Sequence, residues 1–231
     1  MIVPIFFSAV IYASLAICIL LSYRVAKIVN LSLGSIYTLG GYLSLFNSFV
    51  SPIFGALIGL LLHIFTRRLD LSRATLFSLG LAIAIEEFLR IIFRAEYILL
   101  NYSKIFYFFN YKILFEHFLA FLISAAFLIS FLIFELKKSL SKLKLKIIEE
   151  DLENAEIYGI DTEKIRAIVL IIVSAFFCCI GSLNLRGGLV TPTIGWLHLI
   201  FSLFIATIAN AFREKAYILV FPISLGVCLL I

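Results

Sequence analysis

Residues 137–166 read KKSLSKLKLKIIEEDLENAEIYGIDTEKIR, and they decide the fold by contrast with everything around them. They form the only long polar interruption in a chain of 231 residues that is otherwise 63% hydrophobic, with a mean hydropathy of +1.15. Five lysines (Lys137, Lys138, Lys142, Lys144, Lys146) come first, then the acids Glu149, Glu150, Asp151, Glu153 and Glu156, then a break at Gly159. At helical spacing Ile148, Leu152, Ala155 and, at the far end, Tyr158 share one face opposite the acids, which predicts a short amphipathic helix. Such a helix either offers itself to a soluble partner or is a solvated linker with a charged face. Composition leaves both readings open.

Outward from this stretch the chain is apolar in runs of membrane-spanning length. Only 14% of residues are charged and 24 are phenylalanine, which excludes an ordinary soluble domain. In lipid the backbone must satisfy its own hydrogen bonds, so spans are helices or a closed barrel. The runs are continuous rather than alternating, which excludes the barrel. The expected class is an all-α polytopic transmembrane helix bundle, a single domain over residues 1–231.

The first expected span, residues 2–23, closes on Arg24 and Lys27, and is too long for a signal-peptide core, so it reads as a retained helix. Residues 35–66 are long for one span and short for two, with Pro52 marking the break. Charge favours two, because Arg24 and Lys27 then share a side with Arg67, Arg68 and Arg73. Further spans are expected at 74–93, 113–134, 167–183, 194–211 and 216–231, giving about eight. With the polar loop inside, fourteen of the 19 basic residues fall on that side, as the positive-inside rule requires. The net charge of +5 therefore marks membrane orientation and not nucleic-acid binding.

Within the span at 74–93, Glu86 and Arg90 are four apart and are expected to pair, either as a functional group at membrane depth or as an interfacial pair beside Arg94 and Glu96. Residues 96–112 form a tyrosine-rich loop of headgroup type. Glu116 and His117 lie near an outer helix end. In NLRGGLVTPTIGW, residues 184–196, the glycines and Pro192 predict turns.

Catalytic signatures are absent: no metal-spaced His/Cys cluster, no phosphate-cradling glycine loop and no nucleophile elbow. Four cysteines, Cys18, Cys178, Cys179 and Cys228, all lie in apolar runs and read as small apolar side chains. The acids of 149–163 are explained by helix-dipole preference without a metal.

The run NLSLGSIYTLGGY, residues 30–42, concentrates Asn30, Ser32, Gly34, Gly40, Gly41 and Tyr42 at membrane depth. Small and polar groups there serve either close helix packing or a solute path. The run resembles the Asn-x-(Ala/Ser)-x-Gly…Leu-Gly-Ala-Tyr signature of the branched-chain amino acid ABC transporter permeases. In the same order, residues 74–93 resemble that family's middle helix. Residues 155–183 are similar to its Ala-x3-Gly-Ile coupling loop and following helix, and Thr191-Pro192-x-x-Gly195 to its Ser-Pro-x-x-Gly turn. The family's later Gly-Gly-x-Gly motif has no counterpart in TIANAFREKAYILVF, residues 207–221.

The resemblance implies a non-enzymatic permease subunit of an ABC importer in the cell membrane, moving branched-chain or similar small amino acids. Its implied partners are cytoplasmic ATPase subunits, a second permease subunit, an extracytoplasmic solute-binding protein and membrane lipid, with no nucleic acid. It carries no cofactor or metal, ATP being held by the ATPase. Asn30, Ser32, Gly34, Gly40, Gly41 and Tyr42 would line the translocation path. Leu152, Ala155, Gly159 and Ile160 would couple to the ATPase through the loop 137–166. The rival classes are a membrane-embedded lipid-modifying enzyme, which needs a polar catalytic cluster at one face, and a scaffold subunit without a pore.

Overall fold

A computed structural model of the chain describes residues 2–93, 97–100, 105–108, 111–137 and 140–230. Arg94, Glu96 and Lys138, which enter the sequence argument, lie outside the described residues. The fold is all-α. In chain order the helices are α1 (Ile2–Arg24), α2 (Ser32–Leu43), α3 (Ser51–Thr66), α4 (Leu71–Phe93), α5 (Phe115–Leu136), α6 (Leu140–Glu150), α7 (Leu152–Ile157), α8 (Thr162–Asn184), α9 (Ile194–Asn210) and α10 (Ala216–Leu230).

Each of the eight expected stretches carries a helix, but among the described residues three helices are long and apolar enough to cross a membrane: Val3–Arg24, Phe115–Leu136 and Thr162–Asn184. Helices α3, α9 and α10 are apolar but shorter. The largest departure is α2, whose 12 residues rise only about 18 Å against the ~30 Å of a hydrocarbon core. The expectation of eight full spans therefore gives way to a bundle that includes a half-length helix buried among its neighbours. Ten of the twelve α2 residues are buried.

The cause of the short α2 lies in the residues before it. Helix α1 ends at Arg24, and Lys27 takes a left-handed backbone conformation, φ 54°, that no α-helix continues through. The chain then runs non-helically through buried Ile28 and Asn30. Its backbone is satisfied by a serine of α4: Ser78 Oγ accepts from Leu31 N at 3.1 Å and lies 3.2 Å from the Val29 carbonyl oxygen. Pro52 sits in the first turn of α3, where its missing N–H costs nothing, so the expected break starts a helix.

Helix α8 is the hub, packed most extensively on α3 and α2. A β-carbon on Gly55 or Gly59 of α3 would lie 2.5 Å from the carbonyl oxygen of Ser174 or Leu170, so the Gly-x3-Gly spacing sets α3 directly on the α8 backbone. At the outer end the tyrosine-rich region departs from a plain loop. Strand β2 (Ile105–Phe108) pairs antiparallel with β3 (Tyr111–Leu114), and β1 (Ile98–Leu99) pairs with β4 (Leu189–Val190). Aromatic residues favour strands where helix-forming context ends.

Candidate functional site

The small and polar run of α2 is where three helices meet at backbone distance. A β-carbon on Gly40 would strike the Cys178 carbonyl of α8, and one on Gly181 would strike the Tyr37 carbonyl of α2. Gly34 faces Gly195 of α9 in the same way, and Gly41 abuts Leu185. Gly195, expected to enforce a turn, instead lies in α9 as a contact glycine. Its N–H donates to Thr38 Oγ1 at 3.0 Å, and that hydroxyl donates to the Gly34 carbonyl at 3.2 Å. Asn30 prepares the start of α2: its Oδ1 accepts from Ser32 N at 3.1 Å and Ser32 Oγ at 2.6 Å. Tyr42, at the other end, is buried with its ring 4.6 Å from that of Phe93. Asn30 Nδ2 and Tyr42 Oη are buried with no hydrogen-bond partner among the described residues.

Glu86 belongs to this junction. The expected Glu86–Arg90 pair does not form; Arg90 Nη1 donates to Glu87 at 2.9 Å on the exposed side of α4. Glu86 turns inward, where its Oε1 accepts from Ser35 Oγ at 2.8 Å and from the indole N–H of Trp196. Spacing could not separate the two carboxylates, since Arg90 is three residues from one and four from the other. Burial decided, because a lone acid facing α2 and α9 is tolerable only with donors waiting for it.

At the inner end, the polar segment folds as α6, α7 and the start of α8. Ile148 and Ala155 are fully buried and Leu152 partly so, as the amphipathic reading expected. Tyr158 departs from that reading: it is 74% exposed, beside Ile157 at 80%. The reason is local. Helix α7 starts at Asp151, whose carboxylate accepts from Glu153 N, and it is only six residues long. It ends in a Schellman turn in which Ile160 N donates to the Ala155 carbonyl at 3.1 Å and Gly159 N to that of Glu156 at 2.9 Å. Gly159 holds φ 71°, where only glycine is unstrained. Ala155, Gly159 and Ile160 are thus the three positions that close one helix, and closing it throws Ile157 and Tyr158 outward. The apolar face itself packs on the protein's own bundle.

A polar cluster that spacing gave no sign of fixes α6 to that bundle. Tyr217 of α10 donates to Glu149 Oε1 at 2.6 Å, Arg24 of α1 lies 3.6 Å from Oε2, and Lys27 Nζ donates to the Glu149 carbonyl oxygen at 2.7 Å. Arg24 also donates to Asn210 Oδ1 at 2.8 Å, which brings α9 into the same cluster. Lys142 pairs with Glu135 at 3.0 Å across a cavity of about 180 Å³. Burial pushes the Glu149 carboxyl above its usual value of 4.5, against the opposing pull of Tyr217 and Arg24. Burial likewise lowers the Lys27 ammonium, with Glu149 and Asp151 acting to raise it. At the outer end, Arg186 pairs with the buried Glu116 at 3.3 Å, tying α8 to α5. Among the described residues no group of three His, Cys, Asp or Glu side chains could hold a metal.

A family model described as the permease component of branched-chain amino acid transport systems matches residues 1–211. No curated protein and no solved structure matches the chain.

Proposed function

We propose a function from the premise that this chain belongs to the branched-chain amino acid transport permease family. Membership makes it a membrane protein and a transport permease component. Beyond that, we infer a permease subunit of an ABC importer in the cell membrane, carrying small apolar amino acids inward on ATP hydrolysed by a separate cytoplasmic subunit. A second permease subunit completes the pore, and an extracytoplasmic binding protein delivers the solute. The chain needs no cofactor of its own.

The observation that carries this reading is the build of the polar segment. Helix α6 is locked to the bundle by Ile148 and the Glu149 cluster, α7 buries Ala155 beside it, and the Schellman turn of α7 holds Ile157, Tyr158 and Gly159 out as an apolar knob. A knob rigidly joined to α1, α9 and α10 can pass a push into the membrane, which a solvated linker cannot. In this proposal Ala155, Gly159 and Ile160 shape the turn, Leu152 helps seat it, and Ile157 with Tyr158 touches the ATPase. The translocation path follows α2, where Asn30 and Tyr42 keep unpaired polar atoms for a passing solute. Ser32 holds Asn30, and Gly34, Gly40 and Gly41 hold α2 in place.

Purification from native membranes in mild detergent tests the proposal. An ATPase is expected to accompany the protein and to be lost from Ile157→Asp/Tyr158→Asp, with the bundle still folded. If no ATPase accompanies the unmodified protein, or if the double variant retains it, the coupling assignment fails.

A further inference from the structure

Helix α6 carries a charge order that its own stability does not call for. Residues 137–146 hold five lysines and no acid, and Glu149, Glu150 and Asp151 follow at the other end. Cations in the first turns of a helix and anions in the last oppose the helix dipole. The order is the reverse of what an isolated helix prefers, so its cause lies in what surrounds the helix.

Two anchors fix where α6 lies. Near its start, Lys142 donates to the Glu135 carbonyl and pairs with the Glu135 carboxylate at 3.0 Å, in the last turn of α5. Near its end, Glu149 meets Arg24 at the end of α1 and Tyr217 at the start of α10. The seven residues between these anchors rise about 10 Å. Helix α6 therefore runs across the ends of three bundle helices, level with the last turn of α5. Helix α5 is long and apolar enough to cross a membrane, and only 17% of its most apolar stretch is buried, so most of its surface is open to lipid.

The side of α6 turned away from the bundle is apolar where the lysines are densest. Ile148 is fully buried, whereas Leu140 and Leu143, one turn apart, are 79% and 56% exposed. Leu136, at the end of α5, is 73% exposed. Lys137 and Lys144 beside them are exposed as well. In water such leucines gain nothing. At headgroup level they reach the acyl boundary, while lysine stems extend to the phosphates.

We propose that the face of α6 bearing Leu140, Leu143 and Lys144, continued by Leu136 and Lys137, docks on anionic phospholipid of the adjacent leaflet. Charge complementarity selects the occupant: a lysine cluster directly after a span is drawn to an anionic leaflet. The lipid then accounts for the reversed charge order. The lysine end lies over lipid, and the acidic end lies on Arg24 and Lys27 of the bundle. The inference needs only a membrane protein and stands or falls apart from the importer reading.

The test is backbone hydrogen exchange of the full-length protein in nanodiscs, made of phosphatidylcholine alone or of equal parts phosphatidylcholine and phosphatidylglycerol. Amides of residues 140–148 are expected to exchange roughly tenfold or more slowly in the anionic discs, because opening the helix lifts its lysines from the surface. Amides of α8 are expected to exchange alike in both. High salt is expected to remove the difference. Lys137→Gln/Lys144→Gln should remove it too, at an unchanged thermal midpoint, while Lys137→Arg/Lys144→Arg should keep it. Leu140→Ser/Leu143→Ser should lose the protection in the anionic discs.

Equal exchange in the two discs overturns the proposal, and so does a difference that survives Lys137→Gln/Lys144→Gln. Protection of α6 that appears only with a bound soluble protein overturns it as well, because this face is then a protein contact. Undiminished protection in Leu140→Ser/Leu143→Ser would show that the leucines do not enter the bilayer, and the docking fails.

Discussion

Two seams join this bundle by opposite means. Where α2 and α3 meet α8, and α2 meets α9, glycines bring backbones into contact: Gly40 with Cys178, Gly181 with Tyr37, Gly55 and Gly59 along α8, Gly34 with Gly195. Where α5 meets α1, α8 and α10, rings fill the space. Phe7 stacks on Phe121 at 4.1 Å, Phe127 on Phe176 at 4.3 Å, and Phe131 meets Tyr217 edge-on at 5.1 Å. Apart from the Thr38 and Glu86 hydrogen bonds both seams are apolar, so the hydrophobic effect does not distinguish them. Lipid is as apolar as either, and what remains is the closeness of packing. The glycine seam leaves no room for adjustment, whereas a ring seam can lose a ring and admit a lipid chain. Rigidity is thus concentrated around α2, and the looser aromatic side lies along α5.

The comparison can be broken first at its tightest point. Gly181→Ile sets a branched side chain into the Tyr37 carbonyl, and the backbones must separate. A cost of roughly 3 kcal/mol or more is expected, enough to remove monodisperse protein from size-exclusion chromatography. Should Gly181→Ile purify and melt like the native protein, the backbone contact is not what holds α2 to α8.

Glu86 sharpens the same seam from its polar side. Glu86→Leu strands the Ser35 hydroxyl and the Trp196 indole, at a cost of about 2 kcal/mol, whereas Glu86→Gln keeps an acceptor and costs less. Trp196 is the only tryptophan, so its emission reports the change directly. Equal thermal midpoints for the two variants would show that the buried acceptor contributes nothing.

On the aromatic seam the expected effect is smaller. Phe7→Ala removes one stacked ring contact worth about 1 kcal/mol beyond the lost area, read as a fall of about 2–4 °C in thermal midpoint. A loss as severe as that of Gly181→Ile would erase the contrast between the seams.

The Glu149 cluster adds a pH dependence. A carboxyl whose value is raised in the folded state contributes stability that is complete below its usual 4.5 and is lost as pH rises through the raised value. The thermal midpoint of the native protein should therefore fall across that window, and Glu149→Gln should flatten the fall. A slope that survives the substitution would assign it to another group.

The smallest effect belongs to a glycine outside both seams. At Gly80 of α4 an added β-carbon meets nothing within 4 Å, so Gly80→Ala should be neutral or stabilise by up to about 1 kcal/mol. The same residue type then gives opposite outcomes at positions 181 and 80, according to what stands opposite.

Much of the architecture is legible in one dimension, because lipid imposes a rule that reads directly on sequence. Backbone hydrogen bonds must close within each apolar run, so runs become helices, and Pro52, the charges at 67–73 and the acids before Gly159 mark where they begin and end. The Ala155–Gly159–Ile160 spacing is equally local: a Schellman turn is closed by residues five apart, and only glycine takes its left-handed position without strain.

What spacing did not reveal is which surfaces meet. The sequence placed Glu86 beside Arg90 and Tyr158 beside Ala155, because each is a neighbour along a helix. The structure separated both pairs, since Trp196 and Ser35 lay across a seam from Glu86 and α7 ended before Tyr158 could turn inward. Pairings such as Gly40 with Cys178, Glu149 with Tyr217 and Glu116 with Arg186 join residues 68 or more positions apart, and no local period encodes them. Length and hydropathy set the helices of this protein. The half-length of α2 and the inner cluster were set by packing, which acts between chain segments that only tertiary structure brings together.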